Sequence, residues 1–151
     1  MSLLFKAPEK SYKPDGFISL FLGGSIENGK AVLWQDDIST KIMDKNNKVV
    51  LYNPRREKWD ANLSNSLENP VFEEQLNWEY DHLAAADIIF LYFQPGTYSP
   101  ISLLELGLFS DKSKIIVCCP EGFWRKGNVD FICKKFDITM IDKVDDILKF
   151  I

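Results

Sequence analysis

Ile88-Ile89-Phe90-Leu91-Tyr92-Phe93-Gln94-Pro95-Gly96-Thr97-Tyr98-Ser99-Pro100-Ile101-Ser102-Leu103-Leu104-Glu105-Leu106-Gly107-Leu108 reads as a strand, a turn and a helix in direct succession. Six consecutive apolar residues suit a strand covered on both faces. The segment from Gln94 to Tyr98 has the Pro and Gly of a turn. Ser99 then reads as an N-cap and Pro100 as the first helical residue. Comparable runs lie at Phe17 to Leu22, Val49 to Tyr52 and Ile115 to Cys119, with a weaker one at Ile138 to Ile141. Between them, apolar residues recur at helical spacing: Trp34, Ile38 and Ile42; Phe72, Leu76, Tyr80 and Leu83; Ile101, Leu104 and Leu108. Further helices are predicted near Val129 to Phe136 and Val144 to Phe150. Strict alternation of strand and helix predicts a doubly wound, flavodoxin- or Rossmann-like α/β fold of three layers, with a mostly parallel sheet of about five strands.

The chain has 151 residues, 46% hydrophobic and 13% aromatic, enough apolar content for one core. A single domain over 1–151 is expected, with the polar residues 1–16 as an extended arm. The formal charge of −4 is spread along the chain and offers no basic field for polymeric nucleic acid or an anionic membrane. No apolar run approaches the roughly 20 residues of a membrane span, and the first residues lack a signal-peptide pattern. The expected location is the cytoplasm. The three cysteines, Cys118, Cys119 and Cys133, lack CxxC spacing and read as buried structural thiols. His82, the sole histidine, reads as a surface or helix-end residue without metal-ligand partners. Neither a metal nor another cofactor is expected.

In a doubly wound fold, ligands sit beyond the carboxyl ends of the strands. The segments there are Gly23-Gly24-Ser25, Asn53-Pro54-Arg55-Arg56, Gln94 to Ser99, and Pro120-Glu121-Gly122-Phe123. Residues 57–70 read as a long polar loop able to cover that rim. Gly24 to Lys30 matches the phosphate-loop pattern G-x-x-x-x-G-K, but Ala31 lacks the hydroxyl that would ligate magnesium, and Glu27 would oppose a phosphate. Glu105 carries more information. It lies in the second turn of a helix among Leu103, Leu104, Leu106 and Leu108, where an ionised carboxylate is costly without a partner or a purpose. A capping box, Ser102-x-x-Glu105, is the structural alternative, and Pro100 weighs against it by placing the cap at Ser99. Gly107 suggests a close approach to another backbone or a ligand. On the preceding helix, Gln75 and Glu79 share a face next to Trp78. A solvated polar surface and a site remain equal alternatives for Glu79.

These residues carry a resemblance. FLGGS at Phe21 to Ser25, Trp34-Gln35, NPRR at Asn53 to Arg56, Gln75-Leu76-Asn77-Trp78-Glu79, Ala86-Asp87 and SPISLLELG at Ser99 to Gly107 together resemble the nucleoside 2-deoxyribosyltransferase-like family, over roughly Phe17 to Asn128. The resemblance implies that Glu105 attacks the anomeric carbon of a 2'-deoxynucleoside, expels the base and forms a covalent glycosyl-enzyme, from which deoxyribose passes to another base. It also implies that Glu79 contacts or protonates the base. The substrate would be a (deoxy)nucleoside or nucleotide together with a free base. Residues matching or neighbouring the family's pocket are Phe21, Gly23, Gly24, Ser25, Trp34, Asn53, Arg55 and Ser99. Asn128, from a neighbouring subunit, would complete the sugar pocket in a homodimer or larger homo-oligomer. Better-known members have a tyrosine where this chain has Phe21 and an aspartate where it has Ser99. Two other readings stand beside transfer. One is hydrolysis of (deoxy)nucleosides or 5'-monophosphates, with Arg55 or Arg56 on the phosphate. The other is a non-catalytic nucleotide-binding module.

Overall fold

The computed structural model describes residues 1–27 and 31–151. Its elements run β1 (Leu3–Lys6), β2 (Ile18–Gly24), α1 (Trp34–Lys45), β3 (Val49–Asn53), α2 (Pro70–Ala85), β4 (Ile88–Tyr92), α3 (Pro100–Phe109), β5 (Ile115–Cys118), α4 (Lys126–Lys135), β6 (Thr139–Ile141) and a closing 3-10 helix (Val144–Phe150). Among the described residues the strands form one parallel sheet of order β1-β3-β2-β4-β5-β6. The doubly wound α/β architecture is therefore as the sequence predicts, with one strand more.

The extra strand comes from the polar arm. Leu3-Leu4-Phe5-Lys6 pairs in register with Val50 to Asn53 along the edge of β3. Only four residues form this strand, and the polar residues after them mask its pattern. The arm continues across α2, where Trp78 Nε1 donates to the Glu9 carbonyl at 2.8 Å and Ser11 Oγ contacts His82 Nε2 at 2.6 Å.

Alternation along each strand builds two apolar layers. Phe21, Val50, Tyr52, Ile89, Leu91 and Val117 face α2, α3 and α4. Leu20, Leu22, Val49, Leu51, Phe90 and Ile116 face α1 and the 3-10 helix. Each fully buried Leu, Ile or Phe contributes about 1.5–3 kcal/mol over leaving it exposed. Trp34, Ile38 and Ile42 bury one stripe of α1 as the spacing predicts.

Two other helices depart from their predicted stripes, α2 in part and α3 throughout. On α2 the buried residues are Gln75, Trp78, His82 and Leu83, while Tyr80 is exposed. On α3 they are Ser102, Leu106 and Phe109, while Ile101, Leu104 and Leu108 stand 50%, 68% and 55% exposed. Leu83 keeps its place in the predicted α2 stripe, but on α3 the period holds and the face differs, because periodicity cannot tell a core stripe from an apolar stripe on the surface. His82 lies in the last turn of α2, the helix-end alternative the sequence offered, and is not at the surface. It is buried, stacked on Trp78 at a centroid distance of 3.8 Å and hydrogen-bonded at Nδ1 to the Trp78 carbonyl. The three cysteines are buried free thiols, as expected.

Strand order reverses between β2 and β4, so the crevice of this fold opens where Gly24-Ser25 leaves β2 and Gln94 to Ser99 leaves β4. Gly24 has φ +132°, and a Cβ there would come within 2.1 Å of the Tyr92 carbonyl oxygen. Its lack of a side chain thus serves the close approach of β2 to β4. No described helix is long and apolar enough to cross a membrane.

Candidate functional site

Ser25 ties the crevice together. Its N–H donates to the Tyr92 carbonyl at 2.9 Å, and its hydroxyl meets Thr97 Oγ1 at 2.8 Å and Ser99 Oγ at 2.6 Å. The same hydroxyl accepts from the Gln94 N–H at 2.9 Å, while the Ser25 carbonyl accepts from Trp34 Nε1 at 3.0 Å. Ser25, Thr97 and Ser99 are all buried, so this hydroxyl cluster fixes two loops against each other. Ser99 is the residue before α3, in the left-handed region at φ +46°, and its side chain makes no capping bond.

The α3 N-terminus is capped from elsewhere. Glu27 Oε1 accepts from the Tyr98 N–H at 2.9 Å and the Ser99 N–H at 2.8 Å, a carboxylate on the positive end of the helix dipole. In the sequence, Glu27 stood out only as a residue hostile to phosphate. Residues 28–30 of the G-x-x-x-x-G-K stretch lie outside the described residues.

Glu105 and Glu79 come from adjacent helices, and both are partly buried. Burial pushes the Glu105 carboxyl up to about 8, and the nearby Glu79 carboxylate adds to the rise. Glu79 is raised as well, chiefly by burial, while a hydrogen bond from Gln75 and the charge of Arg56 oppose the rise. The charge of Glu79 thus adds to the burial that holds the proton on Glu105, while Glu79 itself is raised by burial alone. Glu79 is not a freely solvated surface charge.

A polar chain supports Glu79. Arg56 Nε donates to Gln75 Oε1 at 2.5 Å, and Gln75 Nε2 donates to the Pro54 carbonyl at 2.8 Å and to Glu79 Oε1 at 2.9 Å. Arg56 also pairs with Glu74 at 2.6 Å. Sequence reasoning noted that Gln75 shares a face with Glu79, but nothing in the sequence showed that the loop after β3 would reach both. Arg55 turns the other way and donates to the Val32 and Ala31 carbonyls at 2.9 and 2.6 Å. Both guanidinium groups are thus held by protein groups.

The remaining residues are placed as follows. Phe21 is fully buried in the layer under α2, 6.5 Å from the Trp78 ring. Trp34 packs edge-on against Phe90 and Tyr92 in the opposite layer. Both rings pack in the core, and Trp34 also lines a cleft beside Tyr92 and Gln94. A Cβ on Gly23 would strike the Leu91 side chain at 2.6 Å. Asn53 is buried and accepts from the Arg55 N–H at 2.9 Å. Asn128 is exposed in the first turn of α4. Gly107 has open space where a Cβ would stand, so it makes no close approach within the chain. A cleft of about 490 Å³ at the ends of β1 and β3 is lined by Lys6, Asp36, Asn53, Arg55, Arg56 and Trp59, among others. A second, of about 310 Å³, lies beside Trp34, Tyr92 and Gln94. Neither is lined by Glu79 or Glu105. Among the described residues, no three His, Cys, Asp or Glu side chains are grouped to hold a metal ion.

The parallel, doubly wound sheet with its switch point between β2 and β4 makes this a Rossmann-like α/β domain. The chain belongs to the nucleoside 2-deoxyribosyltransferase-like family, which it matches over residues 18–123. Comparison with curated proteins found no match. Among solved structures it is similar to the crystal structure of a conserved protein from Enterococcus faecalis V583, with a TM-score of 0.63 and 10% sequence identity, over 88% of this chain and 96% of that one. At that identity the likeness shows the fold alone.

Proposed function

We propose that the protein cleaves the N-glycosidic bond of a 2'-deoxynucleoside through a covalent glycosyl-glutamate at Glu105 and transfers the deoxyribose to another base. The observation that carries this reading is the pairing of Glu105 with Glu79. One carboxylate is needed to form the sugar ester and one carboxylic acid to protonate the departing base. In the chain alone burial favours the proton on Glu105, so the reaction requires that proton to stand on Glu79 instead, a shift favoured by the positive charge that develops on the sugar beside Glu105. As the C–N bond breaks, its electrons go to the base, which takes the proton of Glu79. Positive charge gathers on the sugar ring, and that charge draws the negative charge to Glu105, whose oxygen bonds the anomeric carbon. A second base then attacks that carbon, gives its proton to Glu79 and releases Glu105. Activity should rise as Glu105 loses the proton that burial holds on it to about pH 8, and should fall where Glu79 has lost its own proton as well.

Within one chain the two glutamates lie outside both clefts, and beside them α3 presents Ile101, Leu104 and Leu108 to solvent. A second copy seated on that face would cover the site and exclude water, with Asn128 of one protomer reaching the sugar in the other. In the chain alone, partial exposure favours the second reading, hydrolysis by water from the same glycosyl-glutamate. Arg55 and Arg56 give little support for a 5'-phosphate substrate, since both already donate to protein oxygens.

The test is incubation of the purified protein with 2'-deoxynucleosides and their 5'-monophosphates, with and without a free acceptor base, followed by chromatography. A new nucleoside formed only with acceptor supports transfer, and free base without exchange supports hydrolysis. No turnover of any compound would favour a binding module. Glu105→Ala should abolish turnover with the fold intact; retained activity would remove Glu105 from the mechanism.

A further inference from the structure

The amide of Gln75 has only one workable orientation. The Pro54 carbonyl can only accept, so it must face the –NH2, and Arg56 Nε can only donate, so it must face the amide oxygen. Both contacts are short, and Gln75 is only 6% exposed, so no water competes for the oxygen or the nitrogen without breaking them. The second N–H of the amide is thereby aimed at Glu79 Oε1, at 2.9 Å. Either protonation state of Glu79 can accept this N–H, and the bond favours the carboxylate; because Oε1 is occupied by it, the proton of a neutral Glu79 stands on Oε2.

We infer that Gln75 is a positioning residue which, locked by Pro54 and Arg56, fixes Glu79 as a proton donor through Oε2 to the departing base. This rests on the reading of Glu79 and Glu105 as acid and nucleophile, and deepens it by naming what orients the acid. The chain accounts for why a buried glutamine on α2 contacts the backbone after β3: the loop 54–56 and the acid are held as one unit. In the reaction, the bond from the anomeric carbon to the base nitrogen breaks, the proton moves from Glu79 Oε2 to the base, and Glu79 is left as a carboxylate still accepting from Gln75.

The experiment compares two substrates of the intact protein. One is a purine 2'-deoxynucleoside, whose base needs a proton to leave. The other is 4-nitrophenyl 2-deoxyriboside, whose leaving group departs as a stable anion. Gln75→Met keeps the size of the side chain and removes both amide functions. Gln75→Glu can still pair with Arg56 but has no N–H for Glu79, and decides the matter if the methionine variant does not fold. For each variant, kcat on the nucleoside should fall by about 10-fold or more, within the range typical of a lost general acid, with KM little changed. Turnover of the nitrophenyl substrate should stay close to wild type. Combined with Glu79→Gln, either substitution should add little further loss on the nucleoside, because the two residues act as a unit. Equal loss on both substrates, or no loss on the nucleoside, would overturn the role of Gln75 while leaving Glu105 in place. A wild-type protein inert toward both would overturn the proposed function itself, and the positioning role with it.

Discussion

Glu27 and Ser99 lie 72 residues apart in sequence, yet the Glu27 carboxylate accepts the Ser99 N–H at 2.8 Å and caps α3 in place of the Ser99 side chain. Both residues have positive φ, at 50° and 46°. Such conformations persist only where the surroundings hold them. The helix that carries Glu105 therefore depends at its first turn on the loop after β2.

Removing the Glu27 carboxylate should cost about 1 kcal/mol, the usual cost of losing a helix cap. Glu27→Ala should lower the urea midpoint accordingly. Glu27→Gln retains an acceptor oxygen and should lose less. An unchanged midpoint for the alanine variant would mean that water replaces the carboxylate without loss.

Burial of Glu105 should oppose folding in a defined pH window. Its folded pKa, about 8, lies above the ordinary value of 4.5. Below about pH 4 both states are protonated and the group contributes nothing. As pH rises from 4.5 toward 8 the unfolded state ionises first, so the wild type loses stability through that interval. Glu105→Gln has no proton to lose. It should match the wild type in acid and exceed it above pH 8 by an amount on the order of a few kcal/mol. Denaturant curves at the two extremes check this, and a difference independent of pH would place the carboxyl in water.

Much of this could be read from the residues in order, and the limits are instructive. The runs Val49 to Tyr52 and Ile88 to Phe93 announce buried parallel strands because both faces need apolar side chains. Glu105 stood out because a carboxylate among leucines requires an explanation. What failed was whatever depends on which elements meet. Ile101, Leu104 and Leu108 repeat as a core stripe would, but α3 turns Ser102, Leu106 and Phe109 inward. The Glu27 cap, the His82 contact with the arm and the Arg56–Gln75–Glu79 chain each join residues far apart along the chain, and no local pattern encodes them.

Two glycines should respond oppositely to alanine. At Gly24 the backbone sits at φ +132° and a Cβ would come within 2.1 Å of the Tyr92 oxygen, so Gly24→Ala must separate β2 from β4. A loss of about 3 kcal/mol or more, or failure to fold, is expected. At Gly107 a Cβ meets open space inside α3, and alanine is the better helix former by about 1 kcal/mol. Gly107→Ala should raise the melting temperature. A fall would indicate that something outside the chain packs closely on this glycine.

The apolar face of α3 bears on the assembly as well as on stability. Leu104 is the most exposed of its three leucine and isoleucine residues on that face, and it sits one residue before Glu105. If a second copy covers the site there, Leu104→Glu places two charges in an apolar contact related by symmetry, each without a partner. The variant should run as a monomer in analytical ultracentrifugation where the wild type is a dimer. The face is solvent-exposed in the single chain, so the monomer's own fold should tolerate the change. Its turnover of a deoxynucleoside should fall together with dimerisation, and any remaining glycosyl-enzyme should be lost to water, raising the ratio of free base to exchanged nucleoside. A variant that stays dimeric with full exchange activity would mean that the copies meet elsewhere, and that α3 keeps its leucines exposed for another partner.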